Sequence, residues 1–384
     1  MEPDDSALRN ILLERIKTSG AITFADFMRA CLYEPGLGYY TSAGRKVGAE
    51  GDFYTSSNVH RVFGRLIGKE IASMWHALGK PTDFQVVEAG AGNGRLSADI
   101  MDAIAELEPA LYQTVTCRLI EAEPSLAATQ RKVLEAHAGR LAWSSPDELA
   151  SGTLAITGCV LSNELVDALP VHLVEMTAAG LQEVMVTAAE GEFREQLAPL
   201  STGEINSYLA RLGVTLVTGQ RAEIRLVADS WLLGVAKSLA RGFVITIDYG
   251  YLAAELYGRM RVNGTLLCYY QHTTEENPYI RVGRQDITSH VNFTALMVQG
   301  EDFGLDKIWF GEQYRFLLGA GLMEEMLALE AGGAPETELL KSRLALKKLM
   351  LPDGGMGDTF KVLIQAKGVD NPQLLCMRNW GNSF

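Results

Sequence analysis

Apolar positions recur along this chain in two rhythms, and the changes of rhythm outline most of its elements. Leu8, Ile11, Leu12 and Ile16 fall at helical spacing, which predicts a helix over 7–19 ended by Gly20. Thr23-Phe-Ala-Asp26 reads as a capping box for a second short helix through Leu32. Residues 33–40 form a turn-rich aromatic segment, and 48–57 a small, polar, glycine-punctuated loop. A helix from about 59 to 78 leads into Phe84, Val86 and Val87, which read as a short buried strand. Leu96, Ile100, Ile104 and Leu107 then return to helical spacing. Further strands are expected at 116–121, 141–143, 158–162, 242–248, 307–310 and 360–365. Helices are expected at 126–137, 222–240, from Phe293 onward, and at 337–350. Residues 171–176 and 182–187 alternate around Ala-Ala-Gly and read as an antiparallel hairpin. Residues 251–292 read as a polar, irregular insertion.

Repeated strand–helix alternation predicts an α/β fold with a mostly parallel sheet and helices on both faces. The N-terminal helical segment, the hairpin and the irregular segments are expected to decorate it. Four stretches follow from this: 1–80 with the N-terminal helices and a loop, 81–170 with the first half of the core, 171–240 with the hairpin and helices, and 241–384 with the second half and its insertion.

Composition narrows the class. With 384 residues, 47% hydrophobic and 21% charged, the chain has material for a sizeable core. Its formal net charge of −13, without a long Lys/Arg block, argues against a nucleic-acid or anionic-membrane partner. Cys31, Cys117, Cys159, Cys268 and Cys376 show no Cys-x-x-Cys spacing, so they read as reduced thiols and no metal site is expected. No stretch approaches 18 uninterrupted apolar residues, so no membrane insertion is expected. The acidic start, Met-Glu-Pro-Asp-Asp, has neither an apolar nor an Arg-rich targeting pattern. These features lead to the expectation of a cytoplasmic protein.

The chemistry concentrates after the first core strand. Gly90, Gly92 and Gly94 alternate between that strand and the helix behind it, the opening unit of a nucleotide-type domain. A dinucleotide turn spaces its glycines Gly-x-Gly-x-x-Gly; here the third glycine comes one residue early and Arg95 stands in its place. Glu88-x-Gly-x-Gly-x-Gly instead resembles the first motif of class I (Rossmann-like) S-adenosyl-L-methionine (AdoMet) methyltransferases. The resemblance implies that the glycines pack on the amino-acid half of AdoMet and that Glu88 faces the same pocket. A carboxylate there suits a cationic ligand and repels a pyrophosphate.

Ligands on such sheets bind beyond the carboxyl ends of the strands. That rule groups Gly90–Gly94, Glu121, Asn163–Asp167 and Asp248–Gly250 although some 160 residues of sequence separate them. Glu121, ending the second strand, is placed to accept both ribose hydroxyls, and Asn163 joins the cofactor-binding candidates. Glu123 is a weaker alternative, lying further into its loop.

A more specific resemblance begins at Asn163-Glu-x-x-Asp-Ala-Leu-Pro-Val. Together with Glu34-Pro-x-x-Gly-Tyr-Tyr, Gly51-Asp-Phe-x-Thr-Ser, Asp248-Tyr-Gly, Asp286-Ile-Thr-x-His-Val-Asn-Phe and Met356-Gly, it is similar to the MidA / NDUFAF-seven family of AdoMet-dependent protein arginine methyltransferases. The matching segments run from about residue 20 to 365. The resemblance implies a class I fold, AdoMet as cofactor and a protein substrate with arginine as acceptor. It also implies that the loop with Asp52, Thr55 and Ser56 covers the cofactor. For mitochondrial members it implies dimethylation of a respiratory complex I subunit. Without a transit pattern in this sequence, that substrate does not carry over.

An arginine acceptor stays charged in water and needs carboxylates to grip its planar guanidinium and take up its proton. Glu164 and Asp167, just past the fourth strand, are the candidate catalytic acids; the competing readings are a solvated Glu164 and a helix-capping Asp167. His290 is a third catalytic candidate, as proton acceptor or as a hydrogen-bonding strut. His172 and the Tyr39-Tyr40 and Tyr269-Tyr270 pairs read as structural. Two other functions stay open: an AdoMet-binding assembly or scaffold protein without turnover, and a nicotinamide-dependent oxidoreductase, which the glycine spacing disfavours.

Overall fold

In the computed structural model, residues 6–42, 60–123, 125–332, 336–350 and 359–378 are described. The loop with Asp52, Thr55 and Ser56, the Gly51-Asp-Phe motif and Met356-Gly lie outside them. Contacts divide the chain into two compact units. One comprises Thr55–Leu165, Trp231–Tyr249 and Met297–Phe384; the other comprises Met1–Tyr54, Val166–Ser230 and Gly250–Leu296.

The first unit holds the expected sheet. Among the described residues, seven strands form its main path, in chain order Phe84–Ala89, Thr116–Ile120, Leu141–Ser144, Ile156–Asn163, Leu239–Tyr251, Asp306–Glu312 and Phe360–Lys367, and Val291–Asn292 pairs with the end of the fifth. In space the seven lie third, second, first, fourth, fifth, seventh, sixth. The first five pair in parallel, while the last is antiparallel to both its neighbours. The sheet is therefore mainly parallel and mixed only at one edge, and the α/β expectation holds. Its middle is buried on both faces, as parallel sheets require. Val86 joins the large apolar cluster on one face, while its neighbour Val87 is fully buried outside that cluster. The helix Val62–Ala77 lies directly on Arg95–Leu107, the helix behind the glycine turn. A Cβ on Gly64 would stand 2.6 Å from Asp99 Cβ, and one on Gly68 2.9 Å from Ala103 Cβ. Two side-chain-free positions thus set how closely that helix is held.

This unit differs in detail from what the sequence predicts. The strand expected at 158–162 begins earlier, at Ile156, and the helix expected at 126–137 breaks after Val133 into a 3-10 turn. The helices Pro146–Ser151, Gln313–Gly319 and Leu322–Ala331 were not anticipated; the first two are too short to display a periodicity.

The second unit is mostly antiparallel. His172–Thr177 and Gly180–Ala189 form the expected hairpin, with Thr177 opposite Gly180. It is not a lone decoration. Ile22–Thr23, Arg221–Ile224 and Glu192–Ala198 complete a five-stranded sheet. Arg221–Ile224 and the helix Val227–Ser238 replace the single helix expected over 222–240. The segment 251–292 carries a second sheet of Leu267–Tyr270, Thr273–Glu275 and Asp286–Thr288, so it is more regular than its polarity suggests. The helix Ser6–Ser19 buries Leu8, Leu12 and Ile16 as expected, while Ile11 faces outward. Thr23 caps the helix Phe24–Tyr33 by accepting from the Asp26 N–H. Tyr40 donates its hydroxyl to both carboxylate oxygens of the buried Asp286, joining two of the sequence motifs.

Candidate active site

The first unit places the glycine turn at the carboxyl end of its central strand. Gly90, Gly92 and Gly94 all have positive φ, at 74°, 52° and 83°, where a β-carbon is strained. Their surroundings differ. A Cβ on Gly90 would approach Leu165 Cδ1 to 2.9 Å, and one on Gly94 would meet Gln130 Cγ at 3.3 Å. A Cβ on Gly92 would meet nothing within 4 Å, and this glycine is exposed. Its bare backbone is the face on which a ligand can rest.

Glu88 lies beneath this turn. It is buried, and its Oε2 accepts a hydrogen bond from Ser97 Oγ in the helix that follows. Burial pushes its carboxyl up to about 7, against the lowering effect of the Ser97 hydroxyl and backbone. In this position Glu88 braces the strand–turn–helix unit. Ser97, a polar residue on an otherwise apolar helix face, was the missed signal of a buried partner.

Glu121 follows the second strand, whose end is fixed where the Glu121 N–H donates to Ser144 O at 3.0 Å. Its carboxylate is half-buried and receives two donors: the Glu123 N–H at Oε1, 2.9 Å, and Gln130 Nε2 at Oε2, 2.8 Å. Burial raises its pKa, and these hydrogen bonds oppose the rise. Glu123 has its own backbone contact, accepting from the Ser125 N–H, and so supports the turn.

The fourth strand ends at Asn163. Its Nδ2 donates to Glu164 Oε1 at 3.2 Å, while its buried Oδ1 finds no hydrogen-bond partner among the described residues. Glu164 has a φ of 51°, an uncommon setting for a residue with a side chain, and its N–H donates to Ile247 O at 2.9 Å. The neighbouring strand thus holds the backbone in the conformation that aims this half-buried carboxylate.

Asp167 and His290 belong to the second unit, and both are tied to Arg225, which the sequence reading passed over. Buried Arg225 donates to Asp167 O and Ser289 O at 2.9 Å each, to Leu169 O at 3.1 Å and to His290 O at 3.3 Å. No helix begins at Asp167 for it to cap: residues 166–169 form a turn closed by the Leu169 N–H on Val166 O. The His290 ring packs on Tyr251 at 5.2 Å. Burial, with the Arg261 and Arg225 charges, pushes its imidazole down to about 4, so it is neutral at pH 7. His172 pairs with the buried Glu183 at 2.7 Å, the structural role expected of it. Among the described residues no group of three or more His, Cys, Asp and Glu side chains is arranged to hold a metal ion.

The model of a family described as "Putative S-adenosyl-L-methionine-dependent methyltransferase" matches residues 66–311, more than half of the chain. The chain belongs to that family. It is an AdoMet-dependent methyltransferase, and its sheet order and glycine turn are those of the fold that the sequence resemblance implied. A Burkholderia thailandensis protein whose crystal structure contains bound S-adenosyl-homocysteine is 32% identical. The match covers 97% of this chain and 94% of that one, with a TM-score of 0.85. The Drosophila melanogaster "Protein arginine methyltransferase NDUFAF7 homolog, mitochondrial" is 27% identical over 96% of this chain and 86% of its own length. The human "Protein arginine methyltransferase NDUFAF7, mitochondrial" is 28% identical over 81% of this chain and 72% of its own.

The NDUFAF7 relatives overturn the cytoplasmic expectation, because they are named as mitochondrial proteins. Acidity and unpaired thiols describe how a chain stays soluble and reduced, which does not separate one such compartment from another. Among the described residues no helix is long and apolar enough to cross a membrane.

Proposed function

We propose that this methyltransferase acts on arginine in a protein substrate, with Glu164 gripping the guanidinium. The observation that carries this reading is the positive φ of Glu164. A strained backbone at a non-glycine residue persists only where the surrounding structure enforces it. Here the Ile247 carbonyl and Asn163 hold a carboxylate in that setting at the carboxyl end of a core strand. Relatives named as protein arginine methyltransferases support the choice of acceptor.

The cofactor candidates fit AdoMet. The open face of Gly92 accommodates a ligand against the backbone, and Gly90 and Gly94 fix the turn on either side of it. A carboxylate has roughly four lone-pair positions. The Glu123 N–H and Gln130 Nε2 engage Glu121 on one oxygen each and use part of that capacity, and the remainder suits ribose hydroxyls. Asn163 Oδ1 supplies a further acceptor. Glu88 supports the turn from below. Asp52, Thr55 and Ser56 remain candidates for the covering loop on the sequence motif alone.

When bound, AdoMet supplies an activated methyl group on its sulfonium. Transfer is then a matter of alignment and exclusion of water, so the protein's work is to position the acceptor and manage its charge. Glu164 holds the guanidinium and accepts the proton it must lose. Asp167 keeps a supporting part through the turn that Arg225 ties down. His290, which packs its ring on Tyr251 and accepts from Arg225 at its backbone carbonyl, is given a supporting part rather than a proton-accepting one.

The test is incubation of the purified protein with radiolabelled AdoMet and lysate, followed by mass spectrometry of labelled proteins. Label on arginine is the expected result. Label on another residue type would overturn the acceptor, and no label from protein that demonstrably binds AdoMet would favour a scaffold that transfers nothing.

A further inference from the structure

Gln130 occupies a junction that the catalytic reading leaves unused. It is completely buried in the helix Leu126–Val133. Its Nε2 donates to the carbonyl of Gly92 at 2.9 Å and to Glu121 Oε2 at 2.8 Å. Its Oε1 accepts from Trp143 Nε1 at 2.8 Å. The three contacts settle the amide's orientation. Exchanging nitrogen and oxygen would set an NH2 against the indole N–H and a carbonyl against both a carboxylate and a carbonyl. The indole that fixes the amide oxygen is itself held, with the Arg131 guanidinium 4.3 Å from its ring centre.

We infer that Gln130 is a positioning residue for the cofactor, locking the glycine turn and the ribose acid into one rigid frame. This deepens the AdoMet site proposed above and rests on it. One amide hydrogen fixes the carbonyl of Gly92, the glycine with the open outer face. The other fixes the carboxylate plane of Glu121, so the lone pairs left over keep a constant direction. The same residue explains the spacing that separates this turn from a dinucleotide turn. A Cβ on Gly94 would press on Gln130 Cγ at 3.3 Å and Cα at 3.4 Å, so the third glycine is where the Gln130 helix approaches the turn. Preorganisation of this kind raises affinity by removing the cost of ordering the site during binding.

Glu and Leu substitutions separate positioning from packing. Gln130→Leu keeps the bulk and removes all three hydrogen bonds. Gln130→Glu keeps the shape and the acceptor for Trp143 but places a second carboxylate beside Glu121. Two adjacent carboxylates resist double ionisation, so one of them takes up a proton well above its ordinary range and can then donate to its neighbour. S-adenosyl-homocysteine, titrated calorimetrically into folded protein, is the probe. Gln130→Leu should weaken it on the order of tenfold to a hundredfold. Gln130→Glu should bind poorly at pH 8 and recover as the pH falls to about 6, where the pair shares a proton. Wild type should show no such recovery. In Glu121→Gln/Gln130→Glu the donor and acceptor are exchanged, and the double variant should bind better than Gln130→Glu at pH 8. Folded Gln130→Leu within twofold of wild type, or a Gln130→Glu affinity that follows the wild-type pH curve, would overturn the inference and leave the AdoMet site standing. A wild type that does not bind the probe would overturn the site itself and this inference with it.

Discussion

Two turns at the same end of one sheet place their ligand-facing groups in opposite ways. After Ala89, the chain removes side chains: three glycines take positive φ, and Gly92 leaves its backbone bare. After Asn163, the chain keeps a side chain where glycine would be easier: Glu164 takes a φ of 51° and carries a carboxylate there. The first turn offers its backbone as a surface, and rigidity comes from Glu88, Ser97 and Gln130 around it. The second offers one charged group, and backbone strain is accepted to aim it. On the proposed assignment of these turns, cofactor binding and acceptor binding are separable. Damage to one turn should leave the other working.

The largest expected effect breaks the first turn. In Gly92→Val a branched side chain would occupy the open face at a φ that valine rarely adopts. AdoMet binding should become undetectable by calorimetry while circular dichroism shows the fold largely retained. Unchanged affinity in the folded variant would remove the pocket from this turn.

The next effect tests the second turn. Glu164→Gln retains shape and loses charge. Methyl transfer to the native acceptor should fall by roughly 100-fold or more, as expected when a charged partner of a desolvated cation is removed. A smaller loss should follow Glu121→Ala. Removing two hydrogen bonds to a charged group should weaken AdoMet by on the order of tenfold to a few hundredfold, read in the same titration. NADH should bind neither form, and tight NADH binding by wild type would revive the oxidoreductase reading.

The smallest effect concerns the support beneath the first unit. Glu70 accepts from the Cys376 N–H in the core, and burial pushes both Glu70 and Glu88 from 4.5 up to about 7. Between these values the folded state binds more protons than the unfolded state. Their contribution is therefore fully present below about pH 4.5, declines as pH rises toward about 7, and is constant above it. The urea midpoint should fall across that window. Glu70→Gln or Glu88→Gln should flatten the fall, and an unchanged slope in both would count against buried, protonated carboxyls.

The same contrast governs what could be read from sequence. The first unit was legible because helices such as Val62–Ala77 and Arg95–Leu107 are long enough to show periodicity, and because Gly90, Gly92, Gly94 and Glu121 follow the strand ends directly. The second unit was largely missed. Ile22–Thr23 and Arg221–Ile224 contain too few residues to display an alternation, and they acquire one only by pairing with strands far away in sequence. Residues 251–292 looked irregular because their strands are two to four residues long. The candidate acids at strand ends could be named from position alone. Gln130 and Arg225 could not, because a glutamine on a helix and an arginine after a short strand acquire meaning only from the carbonyls they reach. The compartment was misjudged because composition does not encode it.

The most direct test of separable turns is a paired measurement on two variants. Glu121→Ala and Glu164→Gln are titrated with S-adenosyl-homocysteine and assayed for methyl transfer at saturating AdoMet, beside wild type. The account predicts that Glu164→Gln binds within a few fold of wild type yet transfers roughly 100-fold more slowly, whereas Glu121→Ala binds weakly and recovers most of its rate at saturation. Loss of cofactor binding in Glu164→Gln equal to that in Glu121→Ala, or transfer by Glu164→Gln at the wild-type rate, would contradict it.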